Sequence, residues 1–514
     1  MDPAISSKLT VRRSLVIWAA FALLLVAFSY GFTLLVAAAC VYLPFLLVAN
    51  YPGIQTLICF LGGIVIGLVI LWSLVPRRDK FLPPGPRLSA SEHPRLFSEI
   101  ASIAKALNEP MPCEVYLIPD VNAWVAERGG VMGFGSRRVM GLGLSLIRVL
   151  TVSQFRAVLA HEFGHFYSGD TRLWPWVHKT RAAMARTLVN LSSDSLAEAF
   201  SKIQAASLLH HLAVGGLVAY WKLFMRATQA VSRRHEYRAD ELASLVAGPQ
   251  ALTDGLRSIH GAAAALRLFF QREMFPAMAA GCRPALADGF AYYIGVPGIA
   301  KAISVHLQTQ LLKTSIDPYD THPPLQDRIA AVDGLNLSAQ TADNTCSITL
   351  LDSVDQMELQ LLRAMLPQMD VASLPPVSWE RIGSEIYVPA WKERSAQYAA
   401  LLTGYTLERL PEVVAKLNEI APQIRDSKGM LLTREQRVEQ AALLLVQALG
   451  VALWDNGWQS HAAPGELYFQ HGEYKIAPAE IVAGIRSGAV KSIDWSQLCM
   501  KAGICGIPLI PAAS

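Results

Sequence analysis

His161 and His165 stand four residues apart in the run Ala160-His161-Glu162-Phe163-Gly164-His165, with Glu162 between them. On a helix, residues four apart share a face, so both imidazoles can aim a ring nitrogen at one cation while Glu162 lies beside it. This is a residue set for metal-assisted hydrolysis: imidazoles that hold zinc and a carboxylate that takes a proton from water. With 12 His in 514 residues, a chance His-Glu-x-x-His match arises in roughly one such chain in a hundred. An incidental pair on a surface helix is therefore the weaker reading.

The motif needs a helix beneath it. Thr151 or Ser153 is the expected N-cap, and Phe155, Val158 and Leu159 recur at helical spacing. The motif is predicted in the body of an amphipathic helix, with Phe163 in the core and Gly164 leaving room for a close approach. A catalytic zinc takes three protein ligands and keeps one position open. The third is expected downstream, in Ser232-Arg233-Arg234-His235-Glu236-Tyr237-Arg238-Ala239-Asp240, where Glu236 and Asp240 again share a face. Glu236 is the expected ligand, and Asp240 the acceptor for the spare ring N–H of His161. His235 points about 100° away from Glu236 and is its rival. A solvated acid paired with the nearby arginines is the other alternative.

Several separated blocks together resemble the integral-membrane zinc metallopeptidases of the HtpX and CAAX prenyl protease type, which are gluzincins. They are Asn122-Ala123-Trp124-Val125, Gly141-Leu142 with residues 159–165, residues 234–240, and Thr321-His322-Pro323-Pro324. Order and spacing agree from Asn122 to Arg328; the C-terminal portion takes no part in the likeness. The resemblance implies one zinc ion held by His161, His165 and Glu236, with Glu162 as general base. It implies that His322 steadies the oxyanion formed on the scissile carbonyl, and that Asn122 and Ala123 begin an edge strand to which extended substrate adds. A turn histidine held before Pro323 and a turn asparagine before a buried Trp are the alternatives.

Composition places this chemistry at a membrane. Hydrophobic residues make up 52% of the chain and charged ones 17%. That is apolar for a soluble protein. Residues 14–48 carry no charge and, as one helix, would run roughly 52 Å, beyond the ~30 Å hydrocarbon core. Residues 57–75 form a second uncharged run, and Asn50-Tyr51-Pro52-Gly53 reads as the turn between them. No small-residue cleavage site follows the first run, so it is expected to stay as an anchor. Lys8, Arg12 and Arg13 precede the pair, Arg77, Arg78 and Lys80 follow it, and the turn has no basic residue. The positive-inside rule therefore predicts a hairpin with both ends, and the peptidase domain, on the cytoplasmic side. With the resemblance, this indicates an integral protein of a bacterial inner (cell) membrane. Residues 205–225 are apolar but interrupted by His210, His211 and Lys222. A single crossing there would separate His165 from Glu236, so a membrane-lying or packed helix is expected. His210 and His211 are expected to be satisfied or interfacial rather than metal ligands.

The expected fold is mainly α with a small β-sheet (α+β): a transmembrane hairpin at 1–82, a gluzincin-like zinc metallopeptidase domain at 83–335, a helical region at 336–455 and a small module at 456–514. Pro83-Pro84-Gly85-Pro86 and the polar run 338–344 mark the joins. Seven cysteines show no paired framework, and a net charge of +4 gives no case for nucleic acid. The expected function is zinc-dependent endopeptidase action on membrane-associated polypeptides, with the lipid bilayer as a second partner and a protein partner at the C-terminal region. The rivals are a prenyl-protein protease of the CAAX type and a non-catalytic membrane scaffold with structural zinc.

Overall fold

The computed structural model describes residues 12–75, 78–131, 135–166, 174–192, 204–312, 322–338, 340–424 and 433–510. Lys8, Arg77 and Thr321 lie outside them. The fold is mainly α with two small sheets, and it divides into two compact units, residues 1–261 with 305–354 and residues 262–304 with 355–514.

The first unit begins with the apolar pair, α1 (Arg12–Asn50) and α2 (Ile54–Leu74). The Asn50 side chain donates to Leu46 O, and the Thr56 hydroxyl to Gly53 O, which closes the turn. The two helices touch through small residues: a Cβ on Gly63 would lie 2.0 Å from Cys40 O, and one on Gly67 3.1 Å from Val41 Cγ2. Gly63-xxx-Gly67 is thus a groove that lets two helices approach where lipid supplies no hydrophobic drive. Leu24, Phe28, Leu35, Leu61, Leu68 and Trp72 face outward. Apolar side chains on the outer face suit acyl chains, not water.

After the pair comes a four-stranded sheet of β1 (Arg87–Leu88), β2 (Glu114–Ile118), β3 (Ala123–Arg128) and β4 (Arg137–Gly143), in the order β1-β2-β4-β3. β2 and β4 are parallel, and β3 runs antiparallel to β4 at the edge. Trp124 lies across from Gly141, where a Cβ would sit 2.4 Å from its ring. Helix α3 (Val152–Gly164) follows. Its N-cap is Thr151 with Gln154 in a reciprocal capping box. Ser153 is used differently. Its hydroxyl accepts the Asp343 N–H at 2.7 Å, while Val152 N–H reaches Thr345 O and Ser347 N–H reaches Leu150 O. Residues 343–347 are thereby strapped to the start of the motif helix.

Helix α4 (Trp174–Leu191) and the 44-residue α5 (Gln204–Ala247) pack on the apolar pair. Arg181 donates to Thr228, Met184 shares a cluster with Phe224, and His210 Nε2 meets Leu191 O at 2.7 Å. Position falls on α5 as it rises on α4, so the two are antiparallel. Ala37, Cys40, Ile66, Ile70, Leu191, Ala213 and Leu217 form one cluster among these four helices. The stretch 205–225 is therefore the first half of a helix packed in a bundle. Helix α6 (Leu325–Asp333) starts after Pro323-Pro324 and packs on α5.

The second unit has a core of Leu444, Leu445, Leu449, Phe469 and Trp495 around α7 (Arg434–Asp455). Among the described residues four helices are long and apolar enough to cross a membrane, within Leu24–Asn50, Ile54–Leu74, Ser207–Ala247 and Arg434–Asp455. The last is a core helix, since its apolar face is buried in that cluster. Strands β5 (Gln459–Ala463), β6 (Glu466–His471) and β7 (Tyr474–Ile476) form an antiparallel meander. Two single π-helical turns, Phe270–Met274 and Gly383–Tyr387, each precede a proline by two residues, Pro276 and Pro389. A proline lacks the N–H that the helical ladder needs, which accounts for the wider turn.

Candidate metal centre

Helix α3 and the far end of α5 meet at Gly164, where a Cβ would lie 3.1 Å from Ala239 Cα. The bare glycine lets the two backbones approach, and the ligand-type side chains of both helices converge one turn away. Donor atoms of His161, His165 and Glu236 all lie within 4.8 Å of one another. His161 Nε2 is 3.5 Å from Glu236 Oε2, and His165 Nε2 is 3.5 Å from Glu236 Oε1. Tetrahedral zinc with bonds near 2.1 Å needs donors about 3.4 Å apart, and both distances to Glu236 fit. Glu236 Oε2 is a buried acceptor without a well-formed hydrogen bond, although His322 Nδ1 is 3.0 Å away. A buried carboxylate left so is the acceptor that a cation would satisfy.

Around these three stands a second ring of charge. His161 Nδ1 lies 3.0 Å from Asp240 Oδ1, so the Nδ1–H tautomer leaves Nε2 free for a metal. Asp240 is fully buried and is gripped by Arg328, whose Nη2 and Nε donate to its two oxygens at 2.6 and 2.8 Å. Arg328 Nη1 also lies 3.6 Å from Glu236 Oε2. The sequence pattern points to Asp240 but gives Arg328 no role. Its one signal is position, one turn into a helix started by Pro323-Pro324.

Glu162 points into a cleft of about 300 Å³. Burial pushes its carboxyl up to about 7, against the pull of the His161 charge and a hydrogen bond from the Val125 backbone. A group near neutral can both take and return a proton, and a dication beside it would draw the value down again. The same cleft is lined by Asn122, His161, His322 and Arg328, with Val158, Leu252, Leu256 and Ile259 as an apolar wall. His260 and Gln310 also line it, and no motif in the sequence points to either. His322 is half exposed, and the Glu236 carboxylate 3.0 Å from its Nδ1 raises its pKa.

β3 bears on the cleft through its free edge. Gly143 N–H donates to Asn122 O at 2.9 Å, which fixes the alternation: residues 122, 124, 126 and 128 turn toward β4, while 123, 125 and 127 turn outward. The outward Val125 N–H is the one that reaches Glu162. Ala123 is buried and Asn122 exposed at the head of this strand. His235, the rival ligand, takes no part in the three-donor cluster.

A His-Glu-x-x-His helix crossed by a second helix that supplies Glu236 and Asp240, all beside a mixed sheet, defines a metallopeptidase domain. Residues 90–336 match the model of peptidase family M48. The chain is similar to a protease HtpX homolog of Tropheryma whipplei (strain TW08/27), 27% identical over 194 residues, which are 35% of this chain and 61% of that protein. It is also similar to one of Arthrobacter sp. (strain FB24), 26% identical over 34% of this chain and 57% of that protein, and to one of Thermodesulfovibrio yellowstonii, 25% identical over 48% and 77%. The chain thus spans about three-fifths of the length of the first two relatives. No solved structure gives a significant match.

Proposed function

We propose that this chain is a membrane-anchored, zinc-dependent endopeptidase that cleaves membrane-associated polypeptides. The observation that carries the proposal is the convergence of His161, His165 and Glu236 from two helices beside the carboxylate of Glu162. One zinc ion bound there would supply Lewis acidity, polarising the scissile carbonyl and acidifying the attacking water. The residues of the chain do the rest. Substrate adds as a strand to the outward edge of β3 from Asn122 and Ala123, which brings its carbonyl to the cleft. Glu162 takes the proton from the attacking water and returns it to the leaving amine. His322 donates to the charge that develops on the carbonyl oxygen, once Glu236 is engaged elsewhere. Asp240 holds His161 in the tautomer that leaves Nε2 free.

The outward apolar faces of α1 and α2 support anchorage in lipid, and the basic flanks support a cytoplasmic peptidase domain in a bacterial inner membrane. A scaffold with structural zinc has no use for Glu162 in an open cleft, so the hydrolytic reading is favoured over it. Glu162→Gln is the test: cleavage by the purified chain should fall at least 1,000-fold with bound zinc unchanged. Undiminished cleavage would refute the mechanism, and a wild-type protein without zinc would refute the site.

A further inference from the structure

Residues 322–333 bring two basic side chains to the two acids of α5. His322 Nδ1 lies 3.0 Å from Glu236, and Arg328, six residues on, holds Asp240 through both oxygens. The acids are one turn apart on α5, and the prolines between the two basic residues fix an extended entry into α6. Arg328 is 4% exposed and Asp240 fully buried, so this pair is almost wholly shielded from water. Arg328 Nη2 also comes within 3.4 Å of His161 Nδ1.

From this geometry we infer that Arg328 is a positioning residue of the metal centre: its planar fork fixes the Asp240 carboxylate, which in turn aims His161 at the ion. The inference rests on the zinc site proposed above. Three physical points support it. A lone Asp240 carboxylate in that interior would carry an uncompensated charge, and a buried pair broken on one side is strongly destabilised. The two-point grip also leaves Asp240 one rotamer, whereas a point charge would leave its oxygens free to turn. With both oxygens held, Oδ1 stays 3.0 Å from His161 Nδ1 and the ring cannot swing away from Glu236. Arg328 also lines the cleft and lies 3.6 Å from Glu236, but the role inferred here acts through Asp240.

A double-mutant cycle on the full chain in detergent, read as zinc affinity by competition with a chromogenic chelator, tests this. Arg328→Met and Asp240→Asn should each weaken zinc at least tenfold, and the double variant should be no weaker than Asp240→Asn alone. Arg328→Lys keeps the charge without the fork, so its zinc affinity should stay well below wild type. If the two single effects multiply in the double variant, or if Arg328→Lys binds zinc as the wild type does, the inference is overturned. Should Arg328→Met fail to fold, the double variant, which removes both buried charges, and the lysine variant still decide it. Tight zinc in wild type with unchanged affinity in Arg328→Met sinks this inference alone; no zinc in wild type sinks the site as well.

Discussion

The interior around Glu236 and the interior of the second unit are packed by opposite rules. In the first, His161, Glu236, Asp240 and Arg328 are all buried, and the Arg238–Glu241 pair is buried nearby. In the second, among the described residues, Glu358 is the one buried Asp, Glu, Lys, Arg or His. Its two oxygens accept the N–H groups of Leu286 and Ala287 at the start of the helix Leu286–Gly295. That charge closes a helix end, which is a structural role. Charges that converge on a cleft and satisfy one another incompletely are of another kind: they lower stability and are kept where chemistry needs them. The difference sets the candidate metal centre of the first unit apart from the apolar core of the second, and it agrees with the reaction proposed for the first.

Substitutions can break or sharpen that contrast. The largest effect on cleavage is expected from Glu236→Gln, which removes a ligand: zinc affinity should fall by more than about a hundredfold and cleavage with it. Stoichiometric zinc retained by this variant would mean that the charged interior serves something else. Gly164→Ala should act more gently. Its methyl would meet Ala239 at 3.1–3.3 Å, so the helices must part by a few tenths of an ångström. A cleavage rate lower by about tenfold, with a stability loss of about 1–3 kcal/mol, is the expected outcome. Wild-type kinetics would show that the crossing tolerates more than its geometry implies. The smallest effect on cleavage belongs to Trp495→Ala. Trp495 is fully buried and its indole donates to Leu407 O at 2.8 Å, so the second unit should lose about 3–5 kcal/mol in thermal or hydrogen-exchange measurements. Turnover per folded molecule should not change, and a variant that folds yet cleaves slowly would erase the contrast between the units.

What could be read from the chain beforehand follows the range of the interactions. The His161–His165 spacing and the Glu236–Asp240 spacing are local, because one helical turn sets them, and the apolar pair announces itself by the lack of charge. Helix α4 gives no such sign, since Lys179, Arg181 and Arg186 defeat a search for apolar runs. In the fold, Arg181 reaches Thr228 and Gln229, and Arg186 reaches Ser73 O, partners that lie far away in sequence. Arg328 is hidden for the same reason: its two carboxylate bonds span 88 residues. The polar stretch at 338–344, which reads as a joint, leads into the strap at 343–347, whose own contribution to the stitching at the start of α3 is largely backbone N–H and C=O groups, which leave no mark in the sequence. Nor does composition show that residues 262–304 group with 355–514.

Helix α5 has a mechanical consequence. The same unbroken rod holds Tyr220 and Phe224 among the bundle helices and carries Glu236 at the candidate metal centre. From Tyr220 to Glu236 it forms a lever of roughly 24 Å, so a tilt of about 5° imposed by a thinner or thicker bilayer would swing the carboxylate by roughly 2 Å. In the anchorage proposed above, the lipid around α1 and α2 would act as a tuning element for the candidate metal centre, coupled to it by the stiffness of one helix.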